Sequence, residues 1–175
     1  GAGLCLTAHD REDVRILEIE PSSPLPQSTA QVMAQARRAA GLYGRTLGIV
    51  GLGQIGQEVA LRPKAFGMKV VAWSRNLTEE KADSLDIGFC SSIVNLAKMS
   101  DVISVHVAST DQTAHLINET IFNVMKPGAY LVNTSRGNVV DEAALINAIR
   151  TKHIRAGLDD FTNEPTQPSG ENLFK

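Results

Sequence analysis

The feature that most limits how this chain can fold is the stretch Thr46–Arg75, TLGIVGLGQIGQEVALRPKAFGMKVVAWSR. It opens on Leu47–Val50, an apolar run of the length and β-branched content of a buried strand. The turn Gly51-Leu52-Gly53-Gln54-Ile55-Gly56 follows, then a predicted helix over Gln57–Phe66 with Val59 and Ala60 on one side, then a second apolar run, Val70–Trp73. Strand, glycine turn, helix and strand make a βαβ unit. At such a corner Gly51 permits the tight turn, Gly53 lets a pyrophosphate approach the backbone, and Gly56 lets helix and strand pack closely. The N–H groups and dipole of a helix start attract an anion, so this corner predicts dinucleotide binding.

The pattern then repeats. Thr78 is placed to cap a helix whose first turn carries Glu79 and Glu80. Ile87–Cys90 reads as a short strand, and Ser91 or Ser92 begins a helix to Met99. Val102–Val107 is a strand followed by the polar loop Ser109–Gln112. Asn118 caps a helix through Met125 that Pro127-Gly128 stops. Tyr130–Asn133 is a strand, Asp141 caps a helix carrying Leu145, Ile146 and Ile149, and Ala156–Leu158 is the last strand. Strands alternating with helices imply an α/β fold: a Rossmann-like, doubly wound parallel sheet with helices on both faces. Ligands in such sheets bind beyond the carboxyl ends of the strands.

Before this region, Val14–Glu20 is compatible with a short strand, Pro21–Pro26 reads as an irregular linker, and Ser28 with Gln31 matches a capping box for a helix over Thr29–Ala40. The expected organisation is a lead-in over 1–44, a dinucleotide-binding domain over 45–165 and a short lead-out over 166–175.

Bulk properties narrow the alternatives. The chain has 175 residues, enough for one domain and an appendage. A net charge of −2 without a basic patch does not suggest nucleic acid. No apolar run approaches the ~20 residues of a membrane helix, and Arg11–Asp13 interrupts any signal-peptide core. Cys5 and Cys90 sit in apolar surroundings and are expected to be reduced, which suits a cytoplasmic protein. The chain does not begin with Met, consistent with a processed product or a piece of something longer.

Chemistry-bearing residues follow the strands. Ser74-Arg75 stands where an NAD site usually carries an acid for the ribose hydroxyls; a hydroxyl and a guanidinium suit a 2′-phosphate, which favours NADP slightly, the alternative being a solvated arginine. His106 has no evident carboxylate partner and reads as a half-buried neighbour of the nicotinamide pocket rather than an acid–base group. Val107 at the end of the same strand and Thr113 beyond it are further cofactor candidates, as are Thr134 and Ser135 after the fifth. Arg136 is placed to hold a substrate carboxylate bidentately, or to pair with a nearby helix. Glu164, held extended by Pro165, could orient a histidine and raise its pKa; alone it would be an exposed residue. No metal site is expected.

Taken together, Gly51–Gly56, Lys64–Met68, Ser100-Asp101-Val102 with His106-Val107, Met125–Ala129, Asn133–Gly137 with Val140-Asp141, and Gly157-Leu158-Asp159 with Glu164-Pro165 resemble the D-isomer-specific 2-hydroxyacid dehydrogenases, over about residues 42–174. That group includes phosphoglycerate, formate and glyoxylate/hydroxypyruvate enzymes. The resemblance implies hydride transfer between nicotinamide and a 2-hydroxy or 2-oxo acid. It implies a substrate-binding role for Arg136, a carboxylate pairing with the catalytic histidine for Glu164, pyrophosphate contacts at Gln54 and Ile55, and a place near the nicotinamide carboxamide for Asp159.

Departures from the pattern carry their own expectations. The catalytic histidine would lie beyond Glu164 after another strand, and none of His9, His106, His115 or His153 matches it. The substrate domain also exceeds what forty-odd leading residues can supply. The chain is therefore expected to be a fragment or natural truncation with little or no activity alone. Pro63 should kink or weaken the first crossover helix. Asp160 stands where the family usually has an apolar residue, and Ser74 replaces the common acid. A non-catalytic, corepressor-like dinucleotide sensor and a dimerisation module remain the alternative readings, the latter because cofactor domains of this family commonly form homodimer interfaces.

Overall fold

The computed structural model describes residues 41–161 together with 8–9 and 13–14. The chain divides into two compact units, 42–164 in one and 1–41 with 165–175 in the other. In the second of these, Ala8–His9 pairs antiparallel with Asp13–Val14. The remainder of the predicted Val14–Glu20 strand, the proline-rich linker, the Thr29–Ala40 helix and Cys5 lie outside the described residues.

The larger unit is built on a six-stranded parallel sheet. Its elements in chain order are β1 (Thr46–Val50), α1 (Gln54–Leu61), β2 (Lys69–Trp73), α2 (Glu79–Ser84), β3 (Gly88–Phe89), α3 (Ile93–Met99), β4 (Val102–Val105), α4 (Glu119–Val124), β5 (Tyr130–Asn133), α5 (Glu142–Lys152) and β6 (Arg155–Leu158). The strands lie in the order β3-β2-β1-β4-β5-β6. The order reverses direction between β1 and β4, which opens a crevice at their carboxyl ends.

Two apolar layers cover the sheet. On one face Leu47, Ile49, Val70 and Ala72 pack with Ala60 of α1 and Ala82 of α2; on the other, Val50, Ile103, Val105 and Leu131 pack with α3, α4 and α5 through Leu96, Phe122 and Leu145. Near-continuous apolar strands are what burial on both faces demands. Gly48 permits close packing of α3, since a side chain there would collide with Leu96 and Ser100. Asp101 anchors the amino ends of three strands. Its carboxylate accepts from Thr46 N (2.8 Å) and Lys126 Nζ (2.8 Å), its N–H donates to Thr46 O, and its carbonyl accepts from Tyr130 N.

Several elements differ from their sequence reading. The first helix begins at Gln54 and stops at Leu61; Pro63 instead opens a separate 3₁₀ turn, Pro63–Phe66, where its missing N–H is no loss. The strand predicted over Val102–Val107 ends at Val105 because its partner β1 runs out at Val50, the last ladder bond being His106 N to Val50 O. The Ile87–Cys90 strand pairs only at Gly88–Phe89. On α5 the core face is Leu145 and Ala148, while Ile146 and Ile149 are exposed. The helix caps agree with expectation: Thr78, Ser92, Asn118 and Asp141 each accept an amide of the first turn. Cys90 is free and buried, and burial pushes its thiol pKa up, which makes it a poor nucleophile.

Candidate functional site: a glycine corner and the strand ends beside it

The corner after β1 is shaped by what its glycines omit. Gly51 has φ +94°, and its N–H donates to Trp73 O at 2.8 Å; a Cβ there would meet the His106 carbonyl at 2.7 Å and Val107. A Cβ on Gly56 would collide with the carbonyl oxygen of Gly51, so α1 sits as near the strand end as backbone allows. Gly53 is the opposite case, with nothing within 4 Å of the place a Cβ would occupy. It serves as N-cap of α1 without any side-chain cap, unlike α2 to α5. Gly53, Gln54 and Ile55 are exposed, and Gln57 Nε2 braces the turn by donating to Leu52 O at 3.1 Å. The result is an open cradle of helix-start amides, the shape and polarity a pyrophosphate requires.

The neighbouring strand ends complete the crevice. Ser74 is half-buried and Arg75 exposed in the loop after β2, where Ser74 O accepts from Leu77 N. His106 and Val107 lie against Gly51 at the end of β4. The His106 ring is half-buried, Nε2 lies 2.8 Å from Ser104 Oγ, and burial holds its pKa below the ordinary histidine value. The desolvation that lowers it disfavours the protonated ring. Thr113 is buried, and its hydroxyl is used inside the loop, accepting from Thr110 N (2.8 Å) and donating to Ala108 O (2.7 Å). Its contribution is to hold the loop's shape.

After β5, the turn Thr134–Gly137 is organised by the last residue of the strand. Asn133 is buried; its Oδ1 accepts from Ser135 N (3.0 Å) and Ser135 Oγ (2.6 Å), and its Nδ2 donates to Arg136 O (3.0 Å). The Asn-x-Ser pattern at a strand end is the signal that could have found it, being that of an Asx turn. Thr134 is exposed and Ser135 half-buried. Arg136 is largely exposed; Nη1 donates to Ser135 O at 3.0 Å, and Nε stands 4.0 Å from Asp160 Oδ2 rather than facing a helix. Asp159 N donates to Asn133 O at 3.0 Å, placing the residue after β6 beside this turn. Gly51, Gly53, Gln54, Ile55, Gly56, His106 and Val107 thus lie together at the corner, and Thr134, Ser135, Arg136 and Asp159 gather at the ends of β5 and β6. Glu164 lies outside the described residues. Among the described residues no acid–histidine–cysteine cluster fit for a metal occurs.

A parallel sheet of this order with an uncapped glycine corner at its reversal point defines a dinucleotide-binding domain. The chain belongs to the D-isomer-specific 2-hydroxyacid dehydrogenases: residues 24–175 match the family model described as "D-isomer specific 2-hydroxyacid dehydrogenase, NAD binding domain". It is 48% identical over 136 residues to a glyoxylate reductase of Thermococcus litoralis, covering 77% of this chain and 40% of that protein. It is 40% identical over 147 residues to a D-3-phosphoglycerate dehydrogenase of Methanocaldococcus jannaschii, covering 81% and 28% respectively. Among solved structures, the apo form of Rhodotorula graminis D-mandelate dehydrogenase superposes with a TM-score of 0.69 at 36% identity, over 82% of this chain and 43% of that one. The chain therefore spans less than half the length of these relatives.

Proposed function

We propose that this chain is the cofactor-holding part of an oxidoreductase that moves a hydride between a nicotinamide dinucleotide and a 2-hydroxy or 2-oxo acid. The observation that carries the reading is the open, uncapped start of α1 behind Gly51 and Gly53. When bound, the dinucleotide supplies the hydride donor or acceptor. Amides at Gln54, Ile55 and Gly56 hold its pyrophosphate, and Asp159 lies toward the carboxamide end. Arg136 anchors and polarises the carboxylate-bearing end of the acid. Glu164 orients a histidine contributed from beyond it, which moves the proton at the C2 oxygen.

NADP is favoured slightly over NAD, because Ser74 and Arg75 offer a hydroxyl and a fork of N–H donors where an acid would repel a 2′-phosphate. Among the described residues no helix is long and apolar enough to cross a membrane; a cytoplasmic setting is proposed on the cysteines, which are two in number and free and buried at Cys90. A homodimer through this domain is proposed on the family likeness.

Calorimetry with NADPH and NADH tests the reading. Saturable binding of either supports it, tighter binding of NADPH supports the 2′-phosphate assignment, and no heat at millimolar dinucleotide refutes it. The purified chain is expected to show little turnover of 2-oxo acids alone, and robust turnover would overturn that expectation.

A further inference from the structure

The carboxylate of Asp160 is committed to the same turn as Arg136. Its Oδ2 stands 4.0 Å from Arg136 Nε and accepts from Gly137 N at 3.4 Å. The neighbouring Asp159 is exposed on the same segment, and Arg155 stands at the opposite end of β6, paired with Tyr130. Among the described residues, the carboxyl ends of β5 and β6 therefore bring the Arg136 guanidinium together with two carboxylates. A lone arginine would attract an anion in proportion to its charge; this cluster does not.

Resting on Arg136 being the substrate anchor, we propose that Asp160 is a specificity-determining residue: it neutralises the anchor and restricts the site to 2-oxo acids with a single carboxylate, excluding those that carry a second carboxylate or a phosphate. The attraction left for a monoanion is the directional fork of N–H donors, which needs only one carboxylate. Every additional negative charge on the substrate is repelled by Asp160 and Asp159. The pair is partly exposed, with side chains 70% and 33% accessible, so the discrimination is modest and sensitive to salt.

The test uses the chain saturated with NADPH and measures dissociation constants of pyruvate and 2-oxoglutarate by ligand-observed NMR. Asp160→Asn keeps an oxygen for the Gly137 N–H and removes the charge. It should tighten pyruvate about threefold and 2-oxoglutarate about tenfold at low ionic strength, the scale of one partly exposed charge interaction, with the gap closing near 0.5 M salt. Asp160→Glu should keep the wild-type preference, which a purely structural role would not restore. Equal tightening of both acids, or no change in either, overturns the proposal, as does a failure of both proteins to bind either acid. Arg136→Gln separates the two readings: if pyruvate binding survives it, the anchor assignment fails, whereas loss of binding there with no response to Asp160→Asn fails only the selectivity.

Discussion

At the scale of single residues, Gly53 and Gly56 of the same corner serve opposite purposes. Gly53 has φ −72° and empty space where a Cβ would go, so Gly53→Ala should fold with its Tm unchanged to within a degree or two. The added methyl would occupy the place of the pyrophosphate and weaken dinucleotide binding, by about tenfold or more in calorimetry. Gly56→Ala drives a methyl into the Gly51 carbonyl and should cost stability on the order of 1–3 kcal/mol in denaturant unfolding. If both variants lost binding and stability together, the division of labour between the glycines would be wrong. His106 supplies a pH test. Because burial lowers its folded pKa, the unfolded chain takes up the proton first as pH falls through about 6.5. Its effect on stability is therefore absent above that range, grows more destabilising as pH falls to the folded value, and stays constant beneath it. Between pH 7.5 and 5.5 the wild type should lose more Tm than His106→Gln.

At the scale of elements, helix ends are where side chains decide the outcome. Lys152, in the last turn of α5, donates from Nζ to the carbonyls of Phe122 (2.9 Å), Asn123 (2.8 Å) and Met125 (2.5 Å), closing the end of α4. A cation among unsatisfied helix-end carbonyls serves both hydrogen bonding and the dipole. Lys152→Met should cost about 1–2 kcal/mol, read as a shift in the urea midpoint without a change in slope. The amino ends were legible from the sequence alone, since Thr78, Ser92, Asn118 and Asp141 cap through local contacts within three residues. Lys152 was not, because its partners lie some thirty positions away along the chain.

At the scale of the whole molecule, Asp101 ties the amino ends of β1, β4 and β5, while the cofactor corner lies at the opposite ends of the same strands. Burial alone would raise the Asp101 pKa; hydrogen bonds from Lys126 and Thr46 and the charges of Lys126 and Arg45 outweigh it and hold it low. The carboxylate thus contributes stability that is present above the ordinary range near pH 4 and lost as pH falls through the folded value. Asp101→Ala leaves Thr46 N and Lys126 Nζ without this acceptor and should destabilise by about 1–3 kcal/mol at neutral pH. Dinucleotide at a hundred times its dissociation constant should add about 2.7 kcal/mol, visible as a rise in Tm that Gly53→Ala cuts to about half or less.

What the amino-acid sequence determined by itself is whatever is encoded in local or periodic terms: the alternation of apolar strands with capped helices, the glycine corner, and the placing of Ser74, His106 and Arg136 just after strands. Those features act over a few residues, where sterics and short hydrogen bonds are fully specified. The tertiary structure alone decided which distant groups meet. It ended β4 where β1 ran out and turned Ile146 and Ile149 outward. It gave Asn133 the Arg136 turn to hold, and it set Asp160 against Arg136 across twenty-four positions of chain. Such pairings depend on the sheet's order and register, which close loops that no local preference can specify.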